Sequence, residues 1–370
     1  MQVYKSKNMC TGCSACANIC PQHCITMQAD EKGFSVPVVD TSKCVSCNAC
    51  VGVCHTHSNV QPQNAEALFA FTHSKKDVLD ISSSGGAFYA IAEQVIQNGG
   101  YVCGAVWRAD WSVCHCVTNR LDEVLKMCGS KYVQSDLCDC FTQIQTLLTA
   151  GQTVLFSGTP CQVIGLKSFL KKEYENLITV DFVCYGIPSP RIYKAYLQSI
   201  EAENGKIEHI AFRDKRNGWR QYGVAVQTQQ KSLFWPHQDN IYLKGFLGDL
   251  YNRSCCHDCP AKTRTGYLSD VTLGDLWGAE QLLSDVSSAN GISAVIVHTE
   301  KGGALFDKAD LQPCDMAVFK TTNPKYVQCS QESANADLFW RVYRKKGLKK
   351  AYDAIYKPSF FGKLRAKLKQ

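Results

Sequence analysis

Eight of the 22 cysteines fall into two runs of one spacing, Cys10-x2-Cys13-x2-Cys16-x3-Cys20 and Cys44-x2-Cys47-x2-Cys50-x3-Cys54. Three soft thiolates on a short loop, with a fourth supplied from a distance, are what a 4Fe–4S cluster needs. In the crossed arrangement that this spacing favours, Cys10, Cys13, Cys16 and Cys54 hold one cluster and Cys44, Cys47, Cys50 and Cys20 the other. Pro21 follows the first run, whereas His55 stands at the matching place after the second, a difference at the turn rather than in the ligand set. C-x2-C pairs also suit tetrahedral zinc, but zinc takes four ligands per site and rarely uses three equally spaced cysteines. The chemistry expected of this segment is one-electron transfer.

Further along, Cys161 lies in Gly158-Thr159-Pro160-Cys161, Cys184 in Cys184-Tyr185-Gly186-Ile187-Pro188, and Cys256 and Cys259 form a C-x2-C pair next to Cys255. Four thiolates from Cys161, Cys184, Cys256 and Cys259 would suffice for a third cluster, with Cys255 pointing elsewhere. On spacing alone, two buried cysteines and half a zinc site fit equally well. Most other cysteines, such as Cys103, Cys140 and Cys329, show no such organisation and read as core residues.

The elements that must position these groups are legible in outline. Ser82-Ser83-Ser84-Gly85-Gly86 precedes a stretch of helical apolar spacing, Ala87 to Gln97, closed by Asn98-Gly99-Gly100. A strand follows from Tyr101 to Trp107. Thr153 to Phe156 reads as a short buried strand, Gln162 to Lys171 as a helix, and Leu177 to Val183 repeats the strand, with a helix beginning near Arg191. Both short strands thus deliver a cysteine at the strand-to-helix turn, where open α/β sheets gather ligands.

The expected architecture is an α+β ferredoxin-like dicluster domain (1–61), an α/β body in two parts (62–150 and 151–335) and a basic, aromatic helical tail (336–370). Gln61, Pro62, Gln63 and Asn64 read as the linker after the first unit. The tail holds eleven Lys or Arg against two acids, so the net charge of +7 belongs to it and the rest is near neutral. Its aromatics, among them Phe339, Trp340, Tyr343, Tyr352, Tyr356, Phe360 and Phe361, suit helices broken near Gly347 and Pro358. They either cap the body's own core under solvated lysines or form a face that could rest on anionic lipid or a partner protein. No nucleic-acid module accompanies the charge. No stretch has the order of a signal peptide, and no apolar run is long enough to span a bilayer. A cytoplasmic protein of an anaerobic or well-reduced cell is expected, at most peripheral to the inner face of the membrane, without a disulfide framework.

Taken in order, the runs SSSGGAFYAIAEQVIQNGGYVCGAVW, GSKYVQSD, SGTPCQVIGLK, VCYGIPSP, IAFRDKRNGW, CCHDCPAK and DVTLGDLWG resemble the beta subunit of coenzyme F420 hydrogenases and dehydrogenases, a family to which plant 7-hydroxymethyl chlorophyll a reductase is related. The resemblance extends to roughly residue 300. It implies an iron–sulfur flavoprotein oxidoreductase with bound FAD and a further 4Fe–4S cluster, which it places on Cys161, Cys184, Cys256 and Cys259.

For the flavin, Ser83, Ser84, Gly85 and Gly86 could cradle a phosphate at a helix N-terminus, although alone they read as a cap and turn. Lys131 and Tyr132, with Arg213 and Lys215, offer positive charge for a pyrophosphate or an anionic flavin locus, and Thr159 a hydrogen bond to the ring. Asp275 and Trp219 would complete a polar and aromatic wall. No catalytic residue is assigned. The reading is an oxidoreductase passing electrons between ferredoxin-type clusters and FAD, toward an organic small molecule or the deazaflavin coenzyme F420, with ferredoxin or another redox protein as partner. An electron-transfer subunit of a larger complex and a non-catalytic iron–sulfur scaffold are the alternatives, and a homo-oligomer is compatible with each. No Ser-His-Asp set, P-loop, H-E-x-x-H or G-x-G-x-x-G motif is present.

Overall fold

The computed structural model describes residues 2–57, 66–283 and 290–357. The expected linker residues Gln61 to Asn64 lie outside them, as do Pro358, Phe360 and Phe361 of the tail. The N-terminal unit consists of the hairpin β1 (Ile25–Ala29) and β2 (Ser35–Val39), paired antiparallel with Ile25 opposite Val39, and two single-turn helices, Ala15–Asn18 and Ala49–Gly52. Each of these turns carries the third cysteine of its run.

The body is a mixed nine-stranded sheet. In chain order its strands are β3 (Ala67–Phe71), β4 (Tyr101–Trp107), β5 (Val113–Thr118), β6 (Ser135–Asp136), β7 (Val154–Ser157) and β8 (Leu177–Phe182), then, after the three strands of a second sheet, β12 (Val271–Asp275), β13 (Ser293–Val297) and β14 (Gln312–Cys314). The second sheet is antiparallel and is built from β9 (Ile207–Asp214), β10 (Gly223–Thr228) and β11 (Ser232–Pro236). In the large sheet the strand order is β14-β3-β13-β12-β8-β7-β4-β5-β6, and its centre, β12-β8-β7-β4, is parallel. Strands from both sides of residue 150 share this one layer. The two stretches 62–150 and 151–335 therefore build a single body.

Parallel central strands need cover on both faces. The helix Ala87–Gln97 supplies one cover, burying Ile91, Ala92 and Val95 beside Leu155 and Val180. It begins where Gly86 takes φ +84° and stops at Asn98 before Gly99 at φ +77°. The opposite cover is Pro160–Leu170, a helix opened by a capping box between Thr159 and Gln162, which buries Val163, Ile164 and Leu166 with Phe141 and Phe156. On the second sheet pack Pro190–Asn204, Ile241–Leu247 and the C-terminal helix Ala336–Tyr356. In that last helix Phe339, Trp340, Leu348 and Tyr352 are buried, while Arg341, Arg344, Lys345, Lys346, Lys349 and Lys350 face solvent. Its aromatics thus close the body's own core, and Gly347, at φ +79°, breaks it where the sequence suggested. No helix among the described residues is long and apolar enough to cross a membrane.

Candidate electron-transfer centres and cofactor cavity

The two cysteine runs fold alike because they repeat an unusual backbone. Gly12 and Ser46, and then Ser14 and Asn48, occupy matching places in the two loops, and all four have φ between 56° and 71°. Left-handed residues at alternate positions curl a loop so that its side chains converge. In the first loop Cys16 lies within electrostatic reach of Cys13, Cys10 and Cys54, and burial pushes its thiol up with their help. In the second, a small pocket is lined by Cys44, Cys47 and Cys50 together with Cys20 from the first run. The crossed sets are thus brought together side by side. Cys24, which the spacing did not single out, also lines that pocket, with its Sγ 3.4 Å from that of Cys20. His55 has a structural job: its Nε2 lies 3.1 Å from the hydroxyl of Thr11, tying the end of the second run to the start of the first.

A third group of thiols gathers at the carboxyl ends of β7 and β8. Cys161 is the second residue of its helix, Cys184 follows β8, and Cys256 and Cys259 belong to the turn Ser254–Asp258 and its C-cap. Cys259, Cys184 and Cys256 all act on Cys161. Burial lifts Cys161 well above an ordinary thiol, Cys184 to about 11 and Cys259 to about 12, while Cys256 is raised first by a hydrogen bond with Cys255 and then by burial. Polar groups are aimed at these sulfurs: the N–H of Ile187 reaches Cys256 at 3.4 Å, that of Gly186 reaches Cys184 at 3.4 Å, and the Thr159 hydroxyl lies 3.2 Å from Cys161. Such donors favour a thiolate. Cys255 is buried beside Cys256 rather than turned away from it. Among the described residues no three His, Cys, Asp or Glu side chains close on a point as ligands of one ion do. A cubane binds each thiolate to a different iron, so its ligands stand further apart.

Next to Cys161 and Cys184 opens a cavity of about 580 Å³, within the span of about 300–1,000 Å³ usual for cofactor sites. Thr11 and Gly12 of the first cysteine loop reach one end, and Ser82, Ser83, Ser84, Gly86 and Ala87 form another wall. There the N-terminus of the helix Ala87–Gln97 has no side-chain cap, which leaves its first N–H groups to whatever occupies the cavity. Lys131, Tyr132, Thr159, Arg213 and Asp275 also line it.

Gly85 and Lys215 are not in the lining. Gly85 is pressed against the sheet, where a Cβ would stand 2.3 Å from the Phe71 carbonyl oxygen. Lys215 donates to the carbonyls of Leu79 and Asn290 at 2.7 Å each. Lys131, although part of the wall, gives its ammonium to the carbonyls of Met127, Cys128 and Gly129, the end of the helix Leu121–Met127, and burial lowers its pKa to about 8. Arg213 and Asp275 form a bidentate pair at 2.9 and 3.0 Å, and Arg213 lies 4.0 Å over the Tyr222 ring. Its Nε is buried without a protein partner. Trp219 stands behind the wall: its indole N–H donates to Asp275, and it stacks at 4.5 Å on Trp277, the ring that does line the cavity.

Several wall residues escaped the sequence reading. His115 is buried, with Nδ1 2.7 Å from the Ser135 hydroxyl and Nε2 3.0 Å from the Ser157 carbonyl, and burial lowers its pKa to about 4. His237 stacks on Tyr222 at 4.6 Å, and Tyr185 belongs to the loop after Cys184. Only Tyr185 had a local signal, its place within the VCYGIPSP run.

With this geometry in hand, comparison with known proteins separates the chain into two matched regions. Residues 9–58 match the family described as 4Fe-4S dicluster domain, and residues 151–318 match the family described as the C terminus of the coenzyme F420 hydrogenase/dehydrogenase beta subunit. Among curated proteins nothing matches. Among solved structures the chain is similar to one from the xenon-derivatised F420-reducing NiFe hydrogenase complex of Methanosarcina barkeri, with 18% identity over 82% of this chain and 94% of that one and a TM-score of 0.43.

Proposed function

We propose, for a chain that joins a 4Fe–4S dicluster domain to the C-terminal domain of a coenzyme F420 hydrogenase/dehydrogenase beta subunit, that this oxidoreductase acts as the electron-transfer subunit of a larger complex. In this reading Cys10, Cys13, Cys16 and Cys54 hold an inner cluster, Cys20, Cys44, Cys47 and Cys50 an outer one, and Cys161, Cys184, Cys256 and Cys259 a third. FAD belongs in the cavity between Cys161 and the uncapped helix end. Bound there, the clusters carry single electrons and the flavin exchanges two as a hydride, so that the pair converts one kind of transfer into the other.

The observation that carries the proposal is one of place: Cys161 and Cys184 line the same cavity as Thr11 and Gly12 of the inner loop. The protein's own part is to hold and to exclude. The N–H groups of Gly186 and Ile187 favour thiolates at the third site, and the free helix N-terminus suits a phosphate. The orphaned Nε of buried Arg213 is one donor awaiting an acceptor, held in place by Asp275. His115, kept neutral by burial, lends the wall a polar edge without adding charge. The basic face of the C-terminal helix would meet an acidic protein partner.

The test is iron, sulfide and flavin content, with a visible spectrum, on protein purified without oxygen. About twelve irons and one FAD are expected. About eight irons without flavin would leave only a dicluster carrier. A second reading, an enzyme complete in itself with an organic or deazaflavin substrate and ferredoxin as donor, draws on Phe182 and Leu247, which line the cavity yet are 42% and 39% exposed. Ferredoxin-dependent turnover by the purified chain alone would favour it over the subunit.

A further inference from the structure

We propose that Arg253 is a fixed positive charge shared by the inner and third cluster sites, holding an electron more tightly on both and leaving the outer site untouched. This rests on the three-cluster reading above, and adds to it a residue that neither the spacing of the cysteines nor the matched families assign.

The placement is unusual in three respects. Arg253 begins the turn that carries the third site: its N–H donates to the Ile187 carbonyl at 2.8 Å, and its own carbonyl accepts from the N–H of Cys256 at 2.9 Å. Its side chain nevertheless leaves that site and enters the N-terminal unit. There Nε donates to the carbonyl of Cys10, the first thiol of the inner set, at 2.7 Å, and Nη2 to the Ser35 carbonyl at 2.9 Å, while Nη1 donates to Oε1 of Gln134, a residue of the body, at 3.4 Å. The residue is only 4% exposed, so the guanidinium sits in the seam between the two sites rather than on a surface.

Its surroundings give the charge something to act on. Among the described residues Arg253 has no carboxylate partner, and its hydrogen bonds go to neutral acceptors. Burying a guanidinium without an anion is costly. Burial works against this one, and negative charge on Cys255, which is in neither ligand set, and then on Cys10, Cys256 and Cys161 of the two sites favours it. The loop is shaped to admit it: Gly12 has φ +71°, and a Cβ there would stand 2.9 Å from Nη1.

The step involved is electron transfer alone. An electron from an external one-electron donor, dithionite in the test, adds one negative charge to either site, and no bond forms or breaks. Arg253 keeps its proton throughout. A buried cation stabilises the added charge far more than a solvated one would. The cation acts on each site independently, and any coupling between the two reductions comes from the direct repulsion of the two added electrons.

The experiment is a dithionite titration under controlled potential, followed by electron paramagnetic resonance, on the full chain and two variants. Arg253→Met removes the charge and keeps most of the length. Gln134→Glu leaves Arg253 in place and sets a carboxylate where the amide oxygen is. Both should hold the electron at least tenfold more weakly at the inner and third sites, a fall of about 59 mV for one electron, with the outer site unmoved. Arg253→Lys should recover most of the loss. Unchanged potentials at three loaded sites would overturn the role of Arg253, as would an equal fall at all three, which means general loosening. Finding only about eight irons in the unaltered protein would instead overturn the three-cluster reading.

Discussion

The two cysteine runs share one spacing and one loop geometry but not one environment. Around the first, Thr11, Ser14, Ala15 and Cys16 are all buried, and the loop leans on the body: Ala15 joins the core of Phe141, Val163 and Leu166, and Asn18 donates to the Cys138 carbonyl at 2.9 Å. Around the second, Val45 is 61% exposed, and Ser46, Cys47 and Asn48 face solvent. Sequence repetition therefore made two similar holders, and packing turned one into an internal station and left the other at the surface. The outer loop is therefore the one that an approaching molecule can reach. The inner one touches the cavity.

The comparison would break if the inner site were not continuous with the third. Cys259→Ala should remove one cluster of three, lowering iron to about two thirds while the dicluster absorbance persists. Iron at its full value would show that Cys259 is no ligand. A fall to about one third would show that inner and third sites stand or fall together.

Exposure should also set the order of loss. With a chelator or air admitted slowly, the outer site, with Cys47 in solvent, should give up its iron, about four atoms, before the buried inner one. Resonance spectra that decay together for both sites would erase the difference that the packing implies.

Acid should narrow the gap. Burial holds His115 near 4 in the folded body, whereas in the unfolded chain it returns to its ordinary value of 6.5. Between those limits the unfolded chain carries a proton that the folded one lacks, so the contribution of His115 to stability is full above about 6.5 and falls as the pH drops toward 4, by up to about 3 kcal/mol. The inner site, which rests on that body, should loosen over this range. Urea unfolding of the protein and of His115→Gln at pH 7.5 and 5 would isolate this contribution from those of Asp181, which burial raises to about 8 and which acts with the opposite sign, and of buried His55. The variant should lose less stability on going to pH 5 than the unaltered protein. An equal slope in that variant would assign the effect elsewhere.

What could be read beforehand follows a physical line. The helix Ala87–Gln97 and the strand Tyr101–Trp107 were legible to the residue, because glycines bracket the helix and separate it from the strand and their apolar periods are local. The dicluster segment was legible because the spacing of its cysteines is local too. The rest depends on partners distant in sequence. Arg213 was named for its positive charge and Asp275 for the wall, yet nothing within either motif says that they neutralise one another across 62 positions. Nor does the type of a residue say that backbone carbonyls will claim the ammonium groups of Lys131 and Lys215. His115 and Arg253 gave no signal at all, since their roles arise only where β5 meets the cavity and where two units share a seam.

The smallest effect offers the sharpest control, because one substitution can be made on both sides of the comparison. Gly165 lies in the helix Pro160–Leu170, where a Cβ would stand 2.8 Å from Cys13 Cβ and 2.9 Å from its Sγ, while at Gly52, in the outer turn, a Cβ meets nothing within 4 Å. Alanine in a helix is favoured over glycine by up to about 1 kcal/mol. Gly52→Ala should therefore be neutral or stabilising by a few tenths of a kcal/mol. At Gly165 the same gain is opposed by overpacking of about 1–3 kcal/mol against the thiol assigned to the proposed inner cluster, so Gly165→Ala should be less stable and should bleed iron from the inner site alone. Urea unfolding and iron content, measured side by side without oxygen, decide the matter. Equal behaviour of the two variants would mean that the inner loop can retreat from the body, and that the contrast between a packed station and an exposed one is weaker than the contacts of Cys13 imply.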